Sequence, residues 1–138
     1  MTRILKIGGS ILTDKSRELA ARPLEISRIA HEISSQPDDL VLVHGAGSFG
    51  HIPARKYRLS QEFSREGLRV THNSVARLCE LVVEALGQAG VESLPVHPLS
   101  CLLLHNGRIE RFLLDPIKEM LKKGIIPVLH GDVAMDYA

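Results

Sequence analysis

The stretch "DLVLVHGAGSFGH", from Asp39 to His51, decides the fold class of this chain. Its first part, Leu40 to His44, is an apolar run without polar alternation, which is typical of a strand covered by helices on both faces. The run leads directly into a turn with glycines at positions 45, 47 and 50, and a helical pattern follows. A strand, a glycine turn and a helix in this order predict an α/β unit.

Outward from this stretch, apolar strands continue to alternate with amphipathic helices. Non-alternating strands separated by helices favour a three-layer αβα fold with a mainly parallel sheet. In chain order, the pattern predicts a buried strand "RILKI" (3–7), a helix from Pro23, a long helix through Val75 and Leu86, a strand in "ESLPVHP" (92–98), a hairpin at Asn106-Gly107, a short helix capped by Asp115 and a buried strand in "IIPVLH" (125–130).

Composition excludes several classes of protein. The chain has 138 residues, 44% of them hydrophobic and 24% charged, as expected for one folded domain. A formal charge of +1 and the absence of Trp argue against a nucleic-acid or membrane partner. No apolar run approaches the roughly 20 residues of a membrane helix, and no signal peptide precedes the first strand, so we expect a soluble cytoplasmic protein. Cys79 and Cys101 stand in apolar surroundings and are expected to be buried free thiols.

Three predicted strands end in small or charged residues, in "KIGGS", "HGAGSFGH" and "LHGDV". The carboxyl ends of parallel strands meet at one edge of a sheet, where ligands bind. We therefore expect these three segments to face one crevice. Asp132, in the third of them, is either a turn residue or a residue that orients a lysine or a magnesium-bound water.

The turn after the second strand has the G-x-G-x-x-G spacing of a dinucleotide-binding fingerprint. That fingerprint also needs an acidic residue about 20 positions later, at the end of the next strand. Glu62 and Glu66 lie near that distance but in a polar segment, so the fingerprint is incomplete. Lys6, Lys15 and His51 instead supply the positive charge that several phosphate groups require. A phosphate cradle, an NAD-type site and a purely structural turn remain the alternatives at this point.

Three motifs together resemble the amino-acid kinase superfamily, and within it the isopentenyl phosphate kinases. They are "ILKIGGSILTDK" (4–15), "LVHGAGSFGH" (42–51) and "PVLHGDV" (127–133), and the resemblance covers essentially the whole chain. It implies transfer of the γ-phosphoryl group of ATP to isopentenyl phosphate, with Mg²⁺ as cofactor and a homodimer as the full-length form. Relatives that act on a phosphonate such as fosfomycin share the turn that ends in histidine, so both acceptors stay open.

The resemblance also implies roles for single residues. Lys6, Lys15 and His51 would be catalytic, and His51 would hold the acceptor phosphate and distinguish this branch of the superfamily. Ala46 stands where relatives often have a third glycine, which is a mild departure. The ATP phosphates would be held by Lys6, Ile7, Gly8, Gly9, Ser10, Ala46 and Gly47, and the acceptor by Gly45, Ala46, Gly50 and His51.

The resemblance further implies that residues 1–138 are the N-terminal, acceptor-binding portion of a longer domain whose nucleotide-binding portion is absent. The chain is then a fragment, a partner of a separate second half, or a module that binds substrate without turnover. No metal site is predicted, because the spacings of the histidines do not match a metal-ligating pattern. These histidines are His31, His44, His51, His72, His97, His105 and His130.

Overall fold

Strands and helices alternate along most of the computed structural model, which describes residues 1–17 and 19–138. In chain order the elements are β1 (Arg3–Ile7), α1 (Gly9–Leu12), α2 (Pro23–Ile33), β2 (Leu40–His44), α3 (Gly47–Lys56), α4 (Arg65–Gln88), β3 (Ser93–Pro95), α5 (Pro98–Cys101), β4 (Leu102–His105), β5 (Arg108–Phe112), α6 (Asp115–Lys122), β6 (Ile126–His130) and β7 (Met135–Asp136).

The main sheet is parallel and has the strand order β1-β2-β6-β3. Ile7 pairs with His44, and His44 pairs with His130, so three strands end side by side at one edge. The predicted α/β fold with a parallel sheet is thereby confirmed, and the three glycine-containing segments do leave the sheet at a common edge. Since β2 lies between β1 and β6, the turn that follows it is central to that edge.

A second, smaller sheet has the order β5-β4-β7. The hairpin β4–β5 is antiparallel, and its turn is the predicted pair Asn106 and Gly107, with φ values of 53° and 76°. Positive φ at both central residues is the geometry that an Asn-Gly pair favours in a tight hairpin turn.

Two helices pack on the β6–β3 side of the main sheet. Helix α4 packs on β3 and β6 through a stripe that includes Val75, Leu78 and Val82, all of them buried. Helix α6 also contacts β6, a strand whose residues are buried except for the half-buried Leu129. Among the described residues, no helix combines the length and the apolar character needed to cross a membrane.

Two expectations for single elements are wrong. Strand β1 was predicted to be buried, but only Ile7 is, and Ile4 is 75% exposed, because β1 is an edge strand with a neighbour on one side only. Asp115 was predicted to cap α6; it is instead the first residue of the helix, and the cap position, Leu114, makes no side-chain capping bond.

Candidate functional site

Two glycine loops touch each other at the carboxyl edge of the main sheet. A Cβ atom on Gly45 would lie 2.5 Å from the backbone nitrogen of Gly9, and a Cβ on Gly9 would overlap the nitrogen of Gly47. No other residue type fits at a contact this close. The loops after β1 and β2 are therefore pressed together, backbone against backbone.

Thr13 connects the two loops. Its side chain is buried, and its Oγ1 donates a hydrogen bond to the carbonyl oxygen of Gly9 at 2.9 Å while accepting one from the backbone N–H of Ser48 at 3.1 Å. Gly47, at φ 53°, leaves room for this hydroxyl, which a Cβ would overlap. Sequence reasoning missed Thr13, because a threonine at the end of a short apolar segment carries no pattern of its own.

A pocket of about 440 Å³ opens beside the paired loops. Three of its side chains are cationic or become so on protonation: Lys15 from the loop after α1, and His51 and Arg55, which lie one helical turn apart on α3. None of the described lining residues is acidic, so the pocket suits an anion. Its lining consists of Gly9, Ser10, Lys15, Gly45, Gly47, Ser48, His51, Ile52 and Arg55.

Ser48 also lines this pocket and, like Ile52 and Arg55, was not predicted from the sequence. The residue is 3% exposed, and its hydroxyl has no hydrogen-bond partner among the described residues. A buried hydroxyl without a partner costs free energy, so this one, which lines the pocket, is available to hydrogen-bond a ligand there.

The structure does not bring every predicted residue into this pocket. Lys6 lies instead along a neighbouring groove of about 520 Å³ beside β1, together with apolar side chains such as Ile4 and Ile11. Its predicted role at the phosphates remains a prediction. Ile7, which ends β1, is buried and also borders this groove.

Ala46 and Gly50 have a packing role. A Cβ on Gly50 would overlap the methyl group of Ala46, and a Cβ on Gly131 would lie 3.1 Å from that methyl group. The small residues thus bring the ends of β2 and β6 together. Gly8 is different, because a Cβ there would meet nothing within 4 Å. The predicted contacts of Gly8, Ala46 and Gly50 with ligands remain predictions.

Two histidines end the central strands and lie behind the glycine loops. His44 and His130 are buried, and their rings stack with centroids 5.7 Å apart. In each, Nδ1 donates a hydrogen bond at 2.9 Å to the carbonyl oxygen of the next residue, Gly45 or Gly131. Burial lowers the pKa of His44 to about 4 and also lowers the pKa of His130, so both rings are neutral at pH 7.

A polar cluster continues outward from His130. Since Nδ1 of the neutral His130 carries the hydrogen, Nε2 accepts, and Nδ1 of His97 donates to it at 2.8 Å. Asp132, whose side chain is fully buried, accepts from His72 Nδ1 at 2.8 Å and from the backbone N–H groups of Leu99 and Val133. Asp132 is thus held by His72 and by backbone, rather than serving as a simple turn residue.

The prediction that the chain has no metal site stays a prediction, but the structure brings three possible metal ligands together. His72, His97 and Asp132 each offer one ligand atom, and these atoms lie within 4.8 Å of one another. The three residues come from α4, from the segment between β3 and α5, and from the segment after β6. Local spacing does not reveal donors that three separate elements contribute.

Both cysteines are free thiols, as predicted from their apolar surroundings. Cys79 is fully buried, and burial raises the pKa of its thiol to about 12. Cys101 is only half-buried, and burial raises the pKa of that thiol too. Neither thiol is poised to act as a nucleophile at neutral pH.

The site combines paired glycine loops and a cationic pocket at the edge of a parallel sheet. Comparison with known sequences identifies the family of proteins to which the chain belongs. The sequence profile of the Amino acid kinase family matches residues 1–137, and this chain belongs to that family.

Within the family the chain is similar to isopentenyl phosphate kinases. It is 38% identical to that of Methanothermobacter thermautotrophicus over 96% of this chain and 54% of the relative. It superposes on an X-ray structure of isopentenyl phosphate kinase with a TM-score of 0.90 at 37% identity, covering 96% of this chain and 57% of that one. The Thermoplasma acidophilum isopentenyl phosphate kinase product complex gives a TM-score of 0.85 at 33% identity, covering 98% and 57%. The chain spans about half the length of the curated relatives it matches.

Proposed function

We propose that this chain is the acceptor-binding portion of an ATP-dependent kinase that phosphorylates isopentenyl phosphate. The observation that carries the proposal is the pocket in which Lys15, His51 and Arg55 surround touching glycine loops with no carboxylate among the described lining residues. In the reaction, an oxygen of the acceptor phosphate forms a bond to the γ-phosphorus of ATP. The bond from that phosphorus to the bridging oxygen breaks, and ADP leaves with the electron pair.

Phosphoryl transfer asks a protein chiefly for positioning and for positive charge on the phosphate oxygens. His51, near the N-terminal end of α3, would hold the acceptor phosphate, and Ser48 would donate a hydrogen bond to it. Lys15 would neutralise charge that builds up on the transferred group. Arg55 adds a planar guanidinium suited to bidentate contact with phosphate oxygens. No protein base is needed, since a phosphate monoester oxygen is already anionic near neutral pH.

The pocket offers a surface for the phosphate groups of ATP but, among the described residues, no carboxylate ligand for the metal ion. The close approach of Gly9 to Gly45 leaves backbone free of side chains, a surface that a phosphate group can approach. The lining offers no carboxylate among the described residues for Mg²⁺. We therefore expect Mg²⁺ to arrive with ATP, held by its phosphate oxygens, as part of the nucleotide substrate.

The same proposal covers the organisation of the protein. Residues 1–138 would form the acceptor-binding portion, and residues outside this portion would complete the nucleotide-binding site. The kinase would act as a cytoplasmic homodimer in its full-length form. Lys6, which borders the groove beside β1, would contact the phosphates of ATP.

The test is to measure two quantities for this chain: the affinity for isopentenyl phosphate by calorimetry, and the ATP-dependent formation of isopentenyl diphosphate by phosphorus NMR. A protein extended to the length of the relatives is measured in parallel. We expect His51→Ala to weaken acceptor binding and to reduce turnover by about 100-fold, as losing one oxyanion ligand does. His51→Gln, which keeps a hydrogen-bond donor, should retain part of both.

His31→Ala is the matched control, because His31 is exposed on α2 and outside the pocket. Binding of isopentenyl phosphate without turnover in either length would limit the proposal to a binding module. If the protein phosphorylates fosfomycin in preference to isopentenyl phosphate, then fosfomycin replaces isopentenyl phosphate as the proposed acceptor. Wild-type affinity and turnover in His51→Ala would remove this histidine from the site and contradict the proposal.

A further inference from the structure

We propose that His72, His97 and Asp132 form a binding site for one divalent transition-metal ion, with Zn²⁺ as the best fit. Two imidazole nitrogens and one carboxylate oxygen are a donor set that Zn²⁺ uses in three-ligand sites, where water takes the fourth position. The three ligand atoms already lie within 4.8 Å of one another. Tetrahedral bonds of about 2.1 Å place donor atoms about 3.4 Å apart, so only small side-chain movements are required.

The hydrogen bonds around these residues prepare them for a metal. Nδ1 of His97 donates to His130 Nε2 at 2.8 Å, and His130 in turn donates to the carbonyl oxygen of Gly131. This relay fixes the tautomer of His97 and leaves its Nε2 with a lone pair. Metal-ligating histidines are oriented in this way by a partner on the other ring nitrogen.

Asp132 is held equally firmly. Its Oδ2 accepts from the backbone N–H of Leu99 at 3.0 Å, and its Oδ1 accepts from Val133 at 2.9 Å. The contact of 2.8 Å between Asp132 Oδ1 and His72 Nδ1 marks the place where a metal ion would displace the shared hydrogen. Magnesium is a poor fit, because it prefers oxygen ligands and retains several waters.

An ion can reach the site from solvent. The side chain of His72 is 19% exposed, and His97 also lines a surface cavity of about 500 Å³ beside α4 and β3. None of the three ligands lines the pocket of Lys15, His51 and Arg55, so the metal site is separate from the proposed kinase chemistry. A bound ion would join α4 to the segments that follow β3 and β6 and stabilise their arrangement.

The experiment is a calorimetric titration of the chelator-treated chain with Zn²⁺, followed by Co²⁺ absorption spectroscopy. We expect one Zn²⁺ per chain with a dissociation constant in the micromolar range or tighter, a raised Tm and no comparable binding of Mg²⁺. His72→Gln and His97→Gln should each weaken binding by 10-fold or more. Cobalt bound at this site should lack the thiolate charge-transfer band that a cysteine ligand produces.

His31→Gln removes an exposed histidine outside the cluster and should bind Zn²⁺ like the wild type. Failure of the wild-type chain to bind Zn²⁺ at a ratio of one would overturn the proposal whatever the variants do. Equal affinity in the wild type, His72→Gln and His97→Gln would overturn it as well. A thiolate band in the cobalt spectrum would assign the ion to a cysteine site and have the same consequence.

Discussion

Two regions occupy the same edge of the sheet but are built in opposite ways. The phosphate pocket is the cavity lined by Lys15, His51 and Arg55, and the histidine cluster consists of His44, His72, His97, His130 and Asp132. The pocket depends on backbone, because Gly9 and Gly45 approach so closely that no side chain fits between them. The cluster depends on buried side chains, in which each ring nitrogen of His130 has a partner. The first arrangement leaves an open surface for an anion, and the second holds the rings of His44 and His130 neutral and in fixed tautomers.

The largest effect is expected when the backbone contact of the pocket is broken. In Gly9→Ala the new methyl group overlaps the nitrogen of Gly47, and we expect the free energy of unfolding to fall by about 3 kcal/mol or more. Denaturant unfolding measures this loss. A Cβ on Gly8 or on Gly87 meets nothing within 4 Å, so Gly8→Ala and Gly87→Ala are the matched controls for stability. Similar losses in all three variants would show that the close contact is not the cause.

The second prediction tests the neutral rings of the cluster. The pKa of His44 falls from 6.5 to about 4 in the folded protein because the ring is buried. Between these pH values the unfolded chain binds a proton that the folded protein does not, so the free energy of unfolding decreases as the pH falls. The shift corresponds to about 3 kcal/mol lost between pH 7 and pH 4. Urea unfolding at several pH values in this window measures the slope.

His44→Gln removes the titrating ring and should make this pH dependence shallower, although the variant is less stable at pH 7. His31→Gln removes an exposed ring and should keep the wild-type slope. The pKa of His130 is also lowered in the folded protein, so His130 adds to the pH dependence of the free energy of unfolding, with the same sign, in both variants. An unchanged slope in His44→Gln would assign the acid sensitivity to other groups.

The two regions also differ in how far sequence predicted them. The position of the pocket was predictable because its glycines follow two apolar strands directly, and strand ends in a parallel sheet meet at one edge. Ser48 and Arg55 in its lining were not predicted. The cluster was not, since His72 and Asp132 are 60 residues apart and nothing local connects them. The exposure of Ile4 was missed for a related reason: the pattern of a strand does not tell whether it lies at the centre or the edge of its sheet.

A third prediction concerns Thr13, which joins the two glycine loops through its hydroxyl. Thr13→Val keeps the shape but removes both the bond to Gly9 and the acceptor for the N–H of Ser48. We expect a loss of about 2 kcal/mol in the free energy of unfolding, because the buried N–H of Ser48 loses its acceptor, while the carbonyl oxygen of Gly9 keeps only the bond from the Thr13 N–H. Thr13→Ser retains the hydroxyl and should recover most of it. If the valine variant is as stable as the serine variant, the loops are held by packing alone.

The smallest effect on stability, and the sharpest test of the pocket, is expected at Ser48. Its buried hydroxyl has no hydrogen-bond partner among the described residues, so Ser48→Ala should change the free energy of unfolding by less than about 1 kcal/mol. If the hydroxyl donates to a bound phosphate, the same variant should bind isopentenyl phosphate about tenfold more weakly, as expected for a hydrogen bond to a charged group.

Ser93→Ala is the matched control for Ser48→Ala. The hydroxyl of Ser93 is also buried and also lacks a partner within the described part of the chain, but it lies at the start of β3 and does not line the pocket. Both variants should therefore have similar stability, while only Ser48→Ala loses affinity for the acceptor. Equal affinities in the two variants would mean that the unpartnered hydroxyl of Ser48 is a packing feature like that of Ser93. A loss confined to Ser48→Ala would show that the hydroxyl of Ser48, unlike that of Ser93, completes its hydrogen bonding with a ligand in the pocket.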